Sequence, residues 1–354
     1  MTSRMLGVAA ILVSAALAGC SSTLPGSVVA STVAIPPGQT DVLRLDHGNF
    51  PSTPQPALGA AGTPFLGGLV ESQRLAENVI LPSQVDPALS VDNPFDTIPL
   101  KDASAVPLPD PLPSAAGNYH FVAGFSSARD EAGPVDSPHK ALINVVLRFA
   151  SPQDAASAAA DMAGATANLR SVLNPNGPPP KTHPAPIPRY PGTAAVSFDD
   201  YPGRVMAITA HGIYVLVQDA GAPGPPEAAA GLVAATLDLQ QPLIDQFTPT
   251  PVDQLAALPL DPDKLLAKTV PNAAGSDGNV VDGVYGPHGA LHFQLDPIAA
   301  EAAFTDAKVD HFATRVTDFY ATADAAAALR LRDVLAASEA TIDYQPAGDV
   351  VGMP

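Results

Sequence analysis

Apolar residues are distributed along this chain in distinct regimes. The first is an apolar run from Leu6 to Ala18, preceded by Arg4 and followed by Gly19-Cys20. Residues 20–115 hold no sustained period. Residues 20–40 are small, uncharged and punctuated by proline, the composition of a flexible tether. In residues 41–115, Asp41–Leu45 reads as a short strand and Asp46-His47-Gly48-Asn49 as a turn. Glu71–Ile80 reads as one helix, with Leu75, Val79 and Ile80 on one side and Pro82 as its stop. From Leu81 to Pro113 prolines recur too often for regular structure, so 41–115 is expected to wrap over a core built elsewhere.

Residues 116–248 carry the clearest pattern. Tyr119–Phe125, Ala141–Phe149, Ala194–Phe198 and Arg204–Thr209 read as strands, and Ile213–Gln218 follows across an Ala210-His211-Gly212 turn. A helix is expected from Pro152 to about Leu169, with Ser151 at the N-cap, Pro152 at N1 and Asp154 at N3. A second runs from Glu227 to about Gln241, with Leu232, Leu239, Leu243 and Phe247 nearly aligned across Pro242. The order β-β-α-β-β-β-α is that of an antiparallel sheet with helices packed on one face, so the fold class is α+β.

Residues 249–285 form a Pro- and Gly-rich connection. In 286–354, His292–Leu295 and Ala313–Tyr320 read as strands, and Ala300–Lys308 and Ala323–Ala337 as helices. Phe149-Ala-Ser-Pro-Gln-Asp154-Ala-Ala and Tyr320-Ala-Thr-Ala-Asp324-Ala-Ala share an aromatic, an Ala, a hydroxyl cap and then acid-Ala-Ala. This suggests two related α+β units, the second shorter.

The leading run is too short to span a hydrocarbon core of about 30 Å and has the length of a signal-peptide h-region. Leu17-Ala18-Gly19-Cys20 matches a lipobox, so residues 1–19 are expected to be removed and Cys20 to carry lipid. Its thiol would accept diacylglycerol as a thioether, and small residues before it let a peptidase grip the backbone. Two or three acyl chains, at about 0.8 kcal/mol per buried CH₂, attach lastingly where one does not. Cys20 is the sole cysteine, which excludes an intrachain disulfide, thiolate zinc sites and thiol catalysis in the mature part. The expected address is the extracytoplasmic face of a cell membrane.

Composition narrows the partners. Lys and Arg total 17 against 35 Asp and Glu, a formal charge of −18, and removal of Arg4 makes the mature chain one unit more negative. A field of that sign repels phosphate, so nucleic acid is excluded, and so is docking on anionic lipid through a basic patch. The membrane is a partner only through the anchor.

Leu45-Asp-His-Gly-Asn-Phe50-Pro-Ser-Thr-Pro54, Glu71-Ser-Gln-Arg74-Leu-Ala-Glu-Asn78 and Leu81-Pro-Ser-Gln-Val-Asp86-Pro together resemble an actinobacterial, mycobacterial-type lipoprotein family catalogued as a domain of unknown function. The resemblance covers nearly the whole mature chain. It implies an envelope lipoprotein and no particular activity.

The residues offer little chemistry. Gly124-Phe-Ser126-Ser-Ala lacks the last glycine of a nucleophile elbow. His288 and His292 are the closest histidine pair. On a strand they would lie about 13 Å apart, too far for one ion. On a helix they would meet, but Pro287 and Gly289 speak against a helix, so two surface histidines near a turn are expected. Asp277-Gly-Asn279-Val-Val-Asp282-Gly283 lacks the ligand pattern of a calcium-binding helix–loop–helix. Asp199-Asp200 and Asp261-Pro-Asp263 read as solvated loop acids. No metal site, catalytic residue or cofactor is assigned. The sequence points to a non-enzymatic binding or scaffold protein of the envelope, with a protein or an envelope lipid as ligand. The alternative is a secreted hydrolase whose site includes Ser126, His120 or the Asp46-His47 pair.

Overall fold

A computed structural model describes residues 53, 55–93, 96–133, 137–170, 177–273, 275–276 and 278–339. The leader, the Leu17–Cys20 motif, the tether, the Asp41–Leu45 strand and the Asp46-His47 pair lie outside the described residues.

The elements follow in the order α1 (Pro64–Leu75), α2 (Pro82–Val85), β1 (Leu89–Asp92), β2 (Ile98–Leu100), α3 (Leu112–Gly117), β3 (Phe121–Glu131), β4 (Ala141–Phe149) and α4 (Pro152–Ala165). Then come β5 (Thr182–Pro184), β6 (Ala194–Phe198), β7 (Arg204–His211), β8 (Tyr214–Gly221) and α5 (Pro226–Ile244). The C-terminal part adds β9 (Gly283–Tyr285), α6 (Pro287–Leu291), α7 (Pro297–Ala307), β10 (His311–Thr314), β11 (Asp318–Ala321) and α8 (Ala325–Glu339). The fold is α+β. Its centre is an antiparallel eight-stranded sheet in the order β1-β3-β4-β8-β7-β6-β5, with β2 also pairing β3, and a smaller sheet runs β11-β10-β9.

Alternation along the central strands sends side chains to two cores. Leu142 and Val146 of β4, Phe125 of β3 and Leu216 of β8 meet one helical layer, which includes α1, α5 and the C-terminal helices. Val145, Leu147 and Phe149 of β4, with Met206 and Val217, meet α3 and α4 on the other side. Helices therefore cover both faces of the sheet, where one face was expected. The element order was right, but order alone does not say to which side a crossover returns. Side chains at or near zero exposure fill the space between sheet and helices on both sides.

The helix expected from Glu71 starts earlier, where Thr63 accepts from the Leu66 N–H at 3.2 Å and Pro64 takes N1. It ends in a 3-10 turn at Ala76–Asn78, because Gln240 of α5 recruits that turn into the core. Gln240 accepts from the Ile80 N–H at 2.9 Å and from Asn144 Nδ2 at 2.8 Å, and donates to Asn78 O at 2.8 Å. Residues 81–113, expected to be irregular, hold α2, β1, β2 and the start of α3. These pieces are short enough to fit between prolines, and Pro99 is tolerated on an edge strand. On α5 the buried stripe is Ala229, Val233, Leu237, Gln240 and Ile244, while Leu239 of the expected stripe is exposed. The helix also continues past Pro242.

Two expected strands of the C-terminal part are replaced. Ala313–Tyr320 is a hairpin, β10 and β11, turning at Arg315–Thr317 with no Gly or Pro to announce it. His292 ends a helix, α6, instead of starting a strand. Pro287 at N1 begins that helix, and the distant Glu77 carboxylate caps it by accepting from the N–H of Gly289 at 2.7 Å and of His288 at 3.3 Å. Gly289 fits because a Cβ there would sit 3.3 Å from the Ala76 Cβ.

Candidate functional site

The α3–α4 layer stops short of one end of the sheet. On β4 it covers Val145, Leu147 and Phe149, but Ala141 and Ile143 on the same face are only half-buried, although β4 is an interior strand. Pairing extends this bare floor sideways. Ala141 lies opposite Asp130 of β3 and Gly221 of β8, and Ile143 opposite Asp219 of β8. The result is an open trough of about 610 Å³. Its size falls in the range of small-molecule sites.

One wall is the β6–β7 connection, Asp200 to Gly203. Gly203 lies so close to β8 that a Cβ there would be 2.1 Å from the Ala222 carbonyl oxygen, and the Ala222 N–H bonds back to Gly203 O at 2.8 Å. This pins the wall and leaves Tyr201 42% exposed on the rim. The opposite side is formed by Asn93, Pro138 and His139.

The floor is mostly apolar, with charge at defined points. Arg204 Nε donates to Asp219 Oδ1 at 2.6 Å and its Nη2 reaches the other oxygen, while the guanidinium lies 5.0 Å over the Phe198 ring. That pair is satisfied internally. Asp130 differs, since no hydrogen-bond donor reaches its carboxyl among the described residues. Burial pushes its pKa up, and only His139 nearby opposes the shift. Asp96 is pushed up by burial as well, with Asp130 and Asp219 adding to the effect.

A second polar cluster is closed. His292 is fully buried; its Nε2–H faces the carbonyls of Ala76 and Val79, both at 3.1 Å, and its Nδ1 accepts from the Ser127 hydroxyl at 2.8 Å. His288 lies one helical turn away, ring centroids 5.7 Å apart, and is half-buried. These are not surface histidines. The helix excluded on account of Pro287 and Gly289 forms, and it sets the two imidazoles edge to face at 85°. Beside them the buried Arg129 donates to the carbonyls of His292 and Gln294, both at 2.8 Å. Ser127 and His292 form a hydroxyl–imidazole pair, but neither reaches solvent, and the third partner is backbone in place of a carboxylate. The cluster fastens α6 to β3 and the Ala76–Val79 turn.

The other residues singled out in the sequence do not converge. Ser126 is buried in mid-strand, its hydroxyl without a partner among the described residues. His120 is exposed and bonds Asp154 at 3.0 Å, while Ser151 bonds the other oxygen of the same carboxylate, so the acid separates histidine from serine. Asp261, expected in solvent, is buried and accepts from the N–H of Leu266 and of Ala267. Asp282 accepts from the Asn279 N–H at 2.9 Å and closes its own loop, and Asp277 lies outside the described residues. Among the described residues no group of three or more His, Cys, Asp or Glu is placed to hold a metal ion. Among the described residues no helix is long and apolar enough to cross a membrane. The trough was missed because its residues are scattered from Asn93 to Gly224. The available signals were Ala141 and Gly221, small residues in strands that otherwise carry large ones.

Residues 58–260 match the family described as Domain of unknown function (DUF7373) N-terminal, and residues 265–354 match the DUF7373 C-terminal domain. The chain belongs to this family. No curated protein and no solved structure matches it. The trough lies within the N-terminal match of this DUF7373 chain. The His292 cluster joins the two matches, with Ser127, Ala76 and Val79 in the first and His292 in the second, so the halves share one core.

Proposed function

We propose that this DUF7373 chain is a lipoprotein of an actinobacterial cell envelope, anchored through Cys20, whose folded part binds a ligand or partner. The observation that carries the binding reading is the trough, an apolar floor on an interior strand left bare by the helix layer. The anchor rests on the sequence, where Leu17-Ala18-Gly19-Cys20 ends an h-region of the right length. The resemblance to mycobacterial-type lipoproteins supports the same address. A binding role is favoured over hydrolysis because Ser126 has no base among the described residues, Ser127 and His292 are sealed from water, and His120 has a carboxylate between it and Ser151.

The test is fractionation of the chain expressed in an actinobacterial host, beside the Cys20→Ala variant. Wild type should remain in the membrane fraction through high-salt washing, because a lipid anchor is not electrostatic, and its N-terminal peptide should begin at an acylated Cys20. Cys20→Ala should lose the acyl mass and leave that fraction. Equal partition of the two chains sinks the anchor reading.

A further inference from the structure

We infer that the sheet-end trough takes a primary ammonium group on an aliphatic stem, with the ammonium at Asp130 and the stem along Ala141, Ile143 and Gly221. This rests on the binding reading above and narrows it to a ligand class.

The argument is one of complementarity. The floor is apolar and narrow in side-chain size, which suits a hydrocarbon stem better than a ring. Gly221 leaves room, since a Cβ there would be 3.7 Å from that of Ala141, ordinary contact and no clash. The charge is acidic beyond what internal pairing removes. Arg204 is bound bidentately to Asp219, so among the described residues Asp130 has no Lys or Arg of its own in the trough and faces only the His139 imidazole. An anionic ligand would meet those carboxylates, and a neutral one would leave Asp130 partly desolvated without a partner, at a cost. A cation supplies what the site lacks. The exposed Tyr201 ring on the rim adds a face to which an ammonium is attracted on entry. Binding should also pull the raised Asp130 pKa back down, against the His139 imidazole and the Asp96 carboxyl that face it, so that protons are released over the range in which Asp130 titrates.

Such a group comes either from a free alkylamine or from a lysine side chain of a peptide. Isothermal titration of the purified full chain distinguishes them, with hexylamine, hexanol, hexanoate and Nα-acetyl-lysinamide as probes. Hexylamine should bind at one site and hexanoate should not, and hexanol should bind more weakly than the amine. Asp130→Asn, which keeps the shape and removes the charge, should weaken hexylamine by about ten- to a hundredfold and leave hexanol unchanged. Titration in two buffers of different ionisation enthalpy should show more proton release with wild type than with Asp130→Asn. Tighter binding of hexylamine identifies the free amine as the source, and tighter binding of acetyl-lysinamide identifies the lysine side chain. Hexylamine bound no better than hexanol, or bound equally by Asp130→Asn, overturns the ligand class while leaving a binding trough in place. Should no probe bind, circular dichroism of the same sample must show the native fold, and a folded chain that binds none overturns the assignment. The anchor reading is judged separately by fractionation.

Discussion

The side chains that hold the molecule together are buried polar groups, each completed by a distant part of the chain. Glu71, fully buried on α1, accepts from Arg148 of β4, from Arg74, and from the backbone and hydroxyl of Thr250. Its replacement by Ala leaves the Arg148 guanidinium buried without its anion. Denaturant unfolding should show a loss of about 3–5 kcal/mol. His292 predicts a pH dependence. Burial, then His288, holds its pKa well below 6.5, and the Arg129 guanidinium adds to the depression; Glu77 and Glu301 act the opposite way on His288, itself lowered by burial. The unfolded chain takes up protons near 6.5 that the folded chain refuses. This part of the stability is therefore complete above about pH 6.5 and is lost as pH falls below it. Between pH 7 and pH 5 the denaturation midpoint should fall. The fall should be smaller in His292→Gln, whose absolute stability is lower because Ser127 and two carbonyls lose a partner. An equal fall in both chains would remove His292 from the account. None of this was legible beforehand, because Glu71, Ser127 and Arg129 look like any polar residues of an amphipathic sequence.

At the scale of elements, the sequence was most readable where alternation runs over several residues. β4 and β6 occupy the expected limits, Ala141–Phe149 and Ala194–Phe198, since their β-branched and aromatic residues repeat with period two. Ser151 caps α4 as expected and accepts from the Asp154 N–H at 3.1 Å, although Asp154 bonds the Ser151 hydroxyl and His120 instead of completing a capping box. Reading failed where a contact made elsewhere decides the conformation. α6 exists because Glu77 caps it, and the α1 helix breaks because Gln240 captures the residues after it. Two glycines separate these situations experimentally. Gly231 is exposed on α5 and a Cβ there meets nothing, so Gly231→Ala should raise stability by about 1 kcal/mol. Gly67 on α1 is crossed by the Leu255 backbone, whose carbonyl oxygen would lie 2.1 Å from an added Cβ, so Gly67→Ala should lower stability by about 1–3 kcal/mol despite its gain in helix propensity. Thermal denaturation of the two variants beside wild type checks both signs.

For the whole molecule, composition and the leading segment suggested an address, and strand order suggested an antiparallel sheet, but the faces of that sheet and the trough required the fold. A helix layer shorter than the strands it covers leaves no local mark in sequence; what it leaves is a pair of small residues, Ala141 and Gly221, that meet only once β4 and β8 pair. The filled cores on both faces set this arrangement apart from a carrier that encloses its ligand between sheet and helices, and place the available space at the sheet end. The central claim is that this space is a binding site. Native mass spectrometry of the Cys20→Ala chain, exported from an actinobacterial host and purified without detergent, tests it most directly, with Ala141→Trp added in a second sample to fill the trough. The account predicts a stoichiometric adduct on the first chain and a bare mass on the second. A bare mass for both, or the same adduct on both, would contradict it.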